Sequence, residues 1–355
     1  MHRVHFFACA AAALGVLWLG TESGLASGGK DRIAAEAAAG NAVREGLRFL
    51  EKDAARWKAE RQCATCHHGT LTLWAFNEAK RAHYAVPPEA LAEMEQGTRE
   101  RFLGSLDKPR DPRPGWNMIN TPALYLAVMA QSQPALPSPT VEERRRIAGH
   151  ATRHLEEDGS VLTPATMSPP RPIDGPPPVF ESREILTLLG ALALRPQKPL
   201  AAEEPAAVHE ARKKVGTWLA LTAPGDDTQA QVLRLLLAAR ERKPGSVLRA
   251  ATEGLLARRN PDGGWGQLRR LPSDAYATGQ VLYGLSLAGV DHCRPEIGQA
   301  VAFLVGNQRA DGSWPMTSRA HPGATPYTNP VPITYFGSCW AVMGLARSAP
   351  ARPAN

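Results

Sequence analysis

A near-copy of one fifteen-residue segment recurs in the chain, and it limits the fold more than any other feature. Residues 251–265 read ATEGLLARRNPDGGW and residues 300–314 read AVAFLVGNQRADGSW, which places Asp262 and Asp311 49 residues apart. Each segment is the end of an amphipathic helix followed by Asp-Gly-Gly/Ser-Trp. A third copy ends His154-Leu155-Glu156-Glu157-Asp158-Gly159-Ser160, lacks only the tryptophan, and lies 104 residues, two periods, before Asp262. Such a period marks a repeat architecture in which each unit buries its apolar face against the next.

A second series of alanine- and leucine-rich stretches runs out of phase with the first. They open at Thr70, Thr121, Ser182, Thr228, Thr278 and Ser338. They are apolar nearly all round, as in Leu124-Tyr125-Leu126-Ala127-Val128-Met129, and helices of that kind are buried. Polar-faced helices fall between them, around 43–58, 141–155, 206–221, 247–258 and 296–305. The alternation predicts an all-α chain, an α/α toroid of about six helical hairpins with a buried inner ring and an amphipathic outer ring. Proline-rich inserts at 164–178 and 321–332 cannot continue a helix and are expected as loops over one rim. The toroid is expected over 27–347, with a disordered tail at 348–355.

Ahead of the repeats, Arg3 precedes an apolar run at 6–20 and the small residues Ala26 and Ser27. This is the pattern of a secretory signal peptide, residues 1–26. The run is shorter than the roughly 20 residues of a membrane-spanning helix, and no later stretch replaces it. No transmembrane segment is therefore expected in the mature chain, and its expected location is the periplasm or the extracellular space. The formal charge of +7 is scattered, for example at Arg144-Arg145-Arg146, without a basic stripe interleaved with aromatics. That favours solubility over nucleic-acid binding. Export permits disulfides, but Cys63, Cys66, Cys293 and Cys339 are too few to replace a core in a chain of this length.

Gln308-Arg309-Ala310-Asp311-Gly312-Ser313-Trp314 resembles the QW motif of squalene and oxidosqualene cyclases and of the prenyltransferase repeat. Asn260-Pro261-Asp262-Gly263-Gly264-Trp265 is similar, with Arg259 where the motif has glutamine. In that superfamily the ring and the amide tie the end of an outer helix to its neighbour. The resemblance, sharp in the C-terminal part and weaker upstream, implies the terpenoid-cyclase type of α/α toroid rather than a reaction.

The resemblance also implies candidate acids. Class II terpene cyclases carry an Asp-x-Asp-Asp-Thr acid, and Pro224-Gly225-Asp226-Asp227-Thr228 is similar to it, with Pro224 replacing the first Asp. Asp226 stands at the proton-donor position and Asp227 follows. Such an acid is kept protonated by burial and a second carboxylate, whereas an Asp227 that caps the helix opening at Thr228 has a purely structural role. Ser273-Asp274-Ala275-Tyr276 and Glu181-Ser182-Arg183-Glu184 open two further inner helices, as rim carboxylates or as caps. Protein prenyltransferase β subunits bind zinc through Asp, Cys and His. Their Asp-x-Cys has its nearest match at Asp291-His292-Cys293, in a turn leading to an outer helix, while the inner-helix start at Asp274-Ala275-Tyr276 lacks the thiolate. The Gly-Cys-Gly-Glu-Gln thioester of complement-like toroids is absent.

One motif stands outside that resemblance. Cys63-Ala64-Thr65-Cys66-His67-His68 contains the C-x-x-C-H signature of c-type haem attachment, in which two thiols add to the haem vinyl groups and a histidine nitrogen binds the iron. On this reading Cys63 and Cys66 hold haem c and His67 is the axial iron ligand. The sixth ligand is open among His68, His83, Met94 and Met118. A local Cys63–Cys66 disulfide, or a metal site completed by His67 and His68, fits the same residues.

Two functional expectations result. One is an exported squalene-cyclase-like protein that carries haem c for electron transfer with a redox partner, or binds an apolar small molecule. The other is a class II cyclase acting on a polyprenoid, with Asp226 as acid and Trp116, Tyr276 and Trp340 as walls that stabilise a cation.

Overall fold

The computed structural model describes residues 23–61, 67–104, 106–107, 119–132, 139–161, 181–195, 204–318 and 330–349. In chain order these form α1 (Ser23–Arg61), a π-helical turn (His67–Leu71), α2 (Thr72–Arg81), α3 (Pro88–Leu103), α4 (Thr121–Ser132), α5 (Val141–Arg153) and α6 (Arg183–Ala193). There follow α7 (Ala206–Leu221), α8 (Thr228–Arg240), α9 (Gly245–Leu256), α10 (Ala275–Leu287), α11 (Pro295–Gly306) and α12 (Pro330–Ser348).

Apolar pattern sorts the helices into two rings. Every residue of α6 from Glu184 to Ala193 and of α10 from Ala275 to Leu285 is buried. By contrast α9 buries only Thr252, Leu255 and Leu256, and α3 only Thr98 and Leu103. The even-numbered helices touch in the order α4, α6, α8, α10, α12, α2. Between α2 and α4 the ring is completed by the π-helical turn, which packs on α4, and by the Trp74 and Tyr125 rings. The odd-numbered helices lie outside. The fold is therefore an α/α toroid of six helical hairpins among the described residues.

The repeated turn is the same object three times. Asp158, Asp262 and Asp311 each accept a bond through Oδ1 from the backbone N–H two residues on, at 2.9, 3.0 and 3.0 Å. Gly159, Gly263 and Gly312 between them have φ of 87°, 90° and 86°, which side chains disfavour. The next N–H, of Val161, Trp265 or Trp314, donates to the hydroxyl of Thr187, Thr278 or Ser338 in the following inner helix. Each turn thus fastens an outer helix to its inner partner. A Cβ on any of the three glycines would fall within 3.0 Å of a carbonyl oxygen in the next outer helix, that of Lys214, Gln299 or Glu45. Where tryptophan is present, its Nε1–H donates to a carbonyl ten residues back, Leu255 for Trp265 and Leu304 for Trp314.

At Gly312 the next outer helix is α1, so this turn closes the ring. Gln308 Nε2 donates to the Ala42 carbonyl at 2.9 Å, and Trp314 lies against Gly46, where a Cβ would stand 2.7 Å from its ring. Inside, Gly279 and Gly344 let α10 and α12 meet backbone to backbone.

Several boundaries differ from the sequence expectation. The first inner helix opens at Thr72 rather than Thr70, because the π-helical turn occupies 67–71. The fifth opens at Ala275, three residues before Thr278, since Asp274 accepts the Ala277 N–H as its cap. The sixth opens at Pro330, inside the stretch expected as a loop; prolines in a first helical turn forfeit no backbone bond. An outer helix, α3, was not anticipated, although Pro88 in its first turn and Glu89 after it are a start signal. The signal-peptide core at 6–20, the insert at 164–178 and residues 350–355 lie outside the described residues. No helix among the described residues is long and apolar enough to cross a membrane.

The closing turn yields a direct test. Gly312→Ala should destabilise the chain by about 1–3 kcal/mol through overlap with the Glu45 carbonyl and its positive φ. Gly298→Ala in α11, where an added Cβ meets nothing within 4 Å, should be neutral or stabilise by up to about 1 kcal/mol. Denaturant unfolding of the two variants beside the parent measures both.

Candidate functional site

All six inner helices enter from one rim, so equivalent positions along them form layers across the lumen. In the layer nearest the mouth, the Tyr276 hydroxyl donates to Gln229 Oε1 at 2.9 Å. Gln229 Nε2 donates to the Tyr125 hydroxyl at 3.1 Å, and that hydroxyl donates to Glu181 Oε1. One polar chain therefore runs from α10 past α8 and α4 to the residue before the cap of α6. Burial pushes the Tyr125 phenol well above its usual range, and the Glu181 carboxylate adds to the effect.

Below lies an aromatic layer. Trp340 of α12 meets Trp74, Tyr283 and Tyr276 edge-on, with ring centroids 5.3, 5.7 and 6.3 Å apart. At the far end, the fully buried Glu78 pairs with Arg347 at 2.8 Å and Arg81 at 3.1 Å and accepts from the Tyr283 hydroxyl at 3.1 Å. The Arg347 guanidinium covers the Tyr283 ring at 4.9 Å. Two polar side chains in the middle of this stack have unmet hydrogen-bonding capacity: Gln280, through both Nε2 and Oε1, and Trp340, through Nε1. Each such group costs about 1–3 kcal/mol when buried without a partner, which is why native cores seldom keep one without a ligand or water.

The carboxylates picked out in the sequence fall into different settings. Asp226 is half exposed, pairs with Arg258 at 3.1 Å and Arg269 at 3.9 Å, and accepts from the Arg269 N–H. Such exposure and arginine pairing are the reverse of the enclosed carboxyl pair that suits a proton donor. Asp226 instead fastens the α7–α8 turn to Arg258, just beyond the end of α9. Asp227 occupies the N-cap position of α8 without making a side-chain cap bond there, while the Thr228 hydroxyl donates to the Gly266 carbonyl at 2.7 Å. Glu184 accepts from the Gly225 N–H at 2.8 Å and pairs with Arg234. Asp274 is the cap of α10, and its second oxygen accepts from Gln267 Nε2 at 2.7 Å and from the Thr317 N–H at 3.3 Å. Burial raises its pKa to about 6 despite those bonds.

The cysteine-histidine segment is only partly described. Cys63 and Cys66, and the side chain of His67, lie outside the described residues, as do Trp116 and Met118. His68 is buried and stacked between Trp57 and Tyr335, at 4.4 and 3.8 Å between ring centroids, with Nε2 2.9 Å from Asp53 Oδ2. Burial lowers its pKa, opposed by Asp53. His83 is exposed, just beyond the C-terminal end of α2. Met94 lines a groove of about 830 Å³ together with Ala54, Ala55, His68, Phe76 and Ala90. Asp291, His292 and Cys293 bring potential ligand atoms within 4.8 Å of one another on an exposed turn, but Cys293 is disulfide-bonded and offers no thiolate.

The lumen residues Trp74, Glu78, Gln229, Gln280 and Arg347 were not singled out in the sequence. A signal was present for one of them: Gln280 is a strongly polar side chain in the middle of a helix otherwise built of apolar and small residues.

Residues 217–354 match the squalene-hopene cyclase C-terminal domain. No curated protein matches the sequence. Among solved structures, the chain is similar to a variant of the type II terpene cyclase MstE from Scytonema in complex with its substrate geranylgeranyl dihydroxybenzoate, at 13% identity and a TM-score of 0.52 over 90% of this chain and 99% of that one. A second MstE variant, in complex with its product merosterolic acid A, matches at 15% identity with the same TM-score and coverage. A protein from Actinoplanes matches at 16% identity and a TM-score of 0.53, over 88% of this chain and 99% of that one. The chain thus has the α/α toroid fold seen in those terpene cyclases, and its residues 217–354 resemble the squalene-hopene cyclase C-terminal domain.

Asp274 provides a pH signature. Its folded pKa of about 6 lies above the ordinary carboxylate value, so the folded state holds its proton more tightly. Its contribution therefore favours folding below the ordinary value and is lost as pH rises through about 6. Asn also caps a helix but does not titrate. The stability of the parent relative to Asp274→Asn should consequently rise as pH falls from neutrality towards 4, in paired urea titrations; a difference independent of pH would refute the buried-acid assignment.

Proposed function

We propose that the lumen binds a polyprenoid and that the protein is a protonation-initiated, class II type terpene cyclase. The observation that carries this reading is the aromatic cluster enclosed by the inner helices, where Trp74, Tyr276, Tyr283 and Trp340 converge beside a hydrogen-bonded chain ending on a carboxyl. The squalene-hopene cyclase match over 217–354 supports it. Aromatic faces suit both halves of such chemistry, since they are apolar towards a hydrocarbon and electron-rich towards a carbocation.

The carboxyl assigned as the acid is Glu181. Asp226 is paired with arginines on the rim, and Glu78 is held between Arg347 and Arg81. Glu181 reaches the lumen mouth through the Tyr125 hydroxyl. The reaction would be an isomerisation. The Glu181 proton adds to a terminal alkene, the tertiary cation so formed is attacked by the next double bond of the same chain, and a proton is returned to the carboxylate when the last cation collapses. The aromatic layer stabilises the migrating charge.

Incubation of purified protein with squalene and with a geranylgeranyl-bearing substrate, analysed by gas chromatography–mass spectrometry, tests the reading. Cyclised products of unchanged mass are expected from the parent, with loss of at least about 100-fold in Glu181→Gln. Asp226→Asn is expected to keep most of the activity. No product from either substrate, or full activity in Glu181→Gln with loss in Asp226→Asn, would overturn the assignment.

A further inference from the structure

We propose that the end of the ring opposite the mouth binds a soluble phosphate-type oxyanion, and that Arg240 of α8 is the residue that holds it. The proposal is independent of the polyprenoid reading and concerns a different part of the molecule.

The sequence puts an arginine on the inward face of three inner helices. Arg81 stands seven residues after Trp74 and Arg347 seven after Trp340, while Arg240 stands eleven after Gln229. At 100° per residue both spacings return to within about 20° of the starting face, about 10 and 16 Å further along the helix. Trp74 and Trp340 belong to the aromatic layer and Gln229 to the hydrogen-bonded layer above it, so the three arginines arrive at one level. The contacts agree. Arg81 and Arg347 both pair with Glu78, at 3.1 and 2.8 Å, and Arg347 covers the Tyr283 ring. Arg195, just beyond the end of α6, donates to the Arg240 carbonyl and to Glu241, each at 3.1 Å. The Arg240 side chain is close enough to Tyr283, Arg347, Arg195 and Glu78 to interact electrostatically with each.

Charge at this end does not balance. Glu78 is shared by Arg81 and Arg347, and Glu241 by Arg195 and Lys243. Among the described residues the Arg240 guanidinium has neither a hydrogen bond nor an ion pair, although it is half-buried with two like charges nearby. Basic residues in a last helical turn also offset the helix dipole, which accounts for their presence at helix ends. It does not account for arginines turned towards one another, because a partly desolvated charge is costly unless an opposite charge meets it. Arg240 has its whole fork of N–H donors to offer, in the geometry that grips the oxygens of a phosphate two at a time. A positive surplus of more than one charge favours a dianion over a carboxylate. Arg81 is 42% exposed, so solvent reaches this end of the ring.

Occupancy changes the charge beside Arg347 and Tyr283, and the Tyr283 ring meets Trp74 edge-on at 5.5 Å, so tryptophan fluorescence reports it. Inorganic phosphate is titrated into the full chain at constant ionic strength, with sodium chloride making up the difference. Fluorescence and Tm are followed in the parent, Arg240→Gln, Arg240→Lys and Arg249→Gln. Arg249, exposed on the outer helix α9, is the control. Phosphate also stabilises folded chains through its exclusion from their surfaces, and that general effect is common to all four. A saturable response is expected in the parent and in Arg249→Gln, with affinity lowered at least about tenfold in Arg240→Gln and by less in Arg240→Lys. The parent's Tm should rise with phosphate beyond that of Arg240→Gln. In chloride alone Arg240→Gln should be at least as stable as the parent, since an unpaired charge has been removed. No saturable response in the parent, or equal affinity in Arg240→Gln, means that solvent alone meets Arg240 and overturns the proposal. A Tm of Arg240→Gln below the parent's in chloride means that the guanidinium already has a partner within the chain, and overturns it equally.

Discussion

Ring closure depends on the close approach of one turn to one helix. Gly312, at a positive φ that side chains avoid, lies against the Glu45 carbonyl, while Gln308 reaches the Ala42 carbonyl and Trp314 covers Gly46. These contacts join α11, the last outer helix, to α1, the first. They reinforce the seam at which α12 packs on α1 and α2. With them, each hairpin has a neighbour on both sides, and the apolar inner helices face only one another.

The same turn explains why the lumen carries the chemistry and the rim carries the architecture. Asp158, Asp262 and Asp311 are spent on local N–H groups, and Asp226 on Arg258. These four carboxylates are engaged in holding turns to neighbouring elements.

The toroid was legible because its determinants are periodic. The Asp-Gly-Gly/Ser-Trp turns recur at a fixed spacing, and helices apolar all round have few places to go except the inside of a ring. Less legible were features that depend on which residues meet across it. Tyr125, Gln229 and Tyr276 come from three repeats, 104 and 47 positions apart along the chain, and no local pattern links them. Asp226 was ambiguous for a related reason, since Asp-Asp-Thr is equally the start of a helix and the remnant of an acid motif. The pairing of Asp226 with Arg258 could not be read from that local pattern. The opening of α12 at Pro330 was hidden because proline is read as a breaker unless the first turn is already known to begin there.

The contact between Gly279 of α10 and Gly344 of α12 has a consequence for how such a chamber diversifies. Backbones already in contact leave no slack, so that sector of the wall can neither widen by a helix shifting outward nor narrow by one moving in. Any change of shape there has to come from the rotamers and identities of Tyr276, Gln280, Tyr283 and Trp340. The chamber thus has one rigid sector, and related chains that keep this glycine pair would vary in what they admit chiefly by exchanging those four side chains.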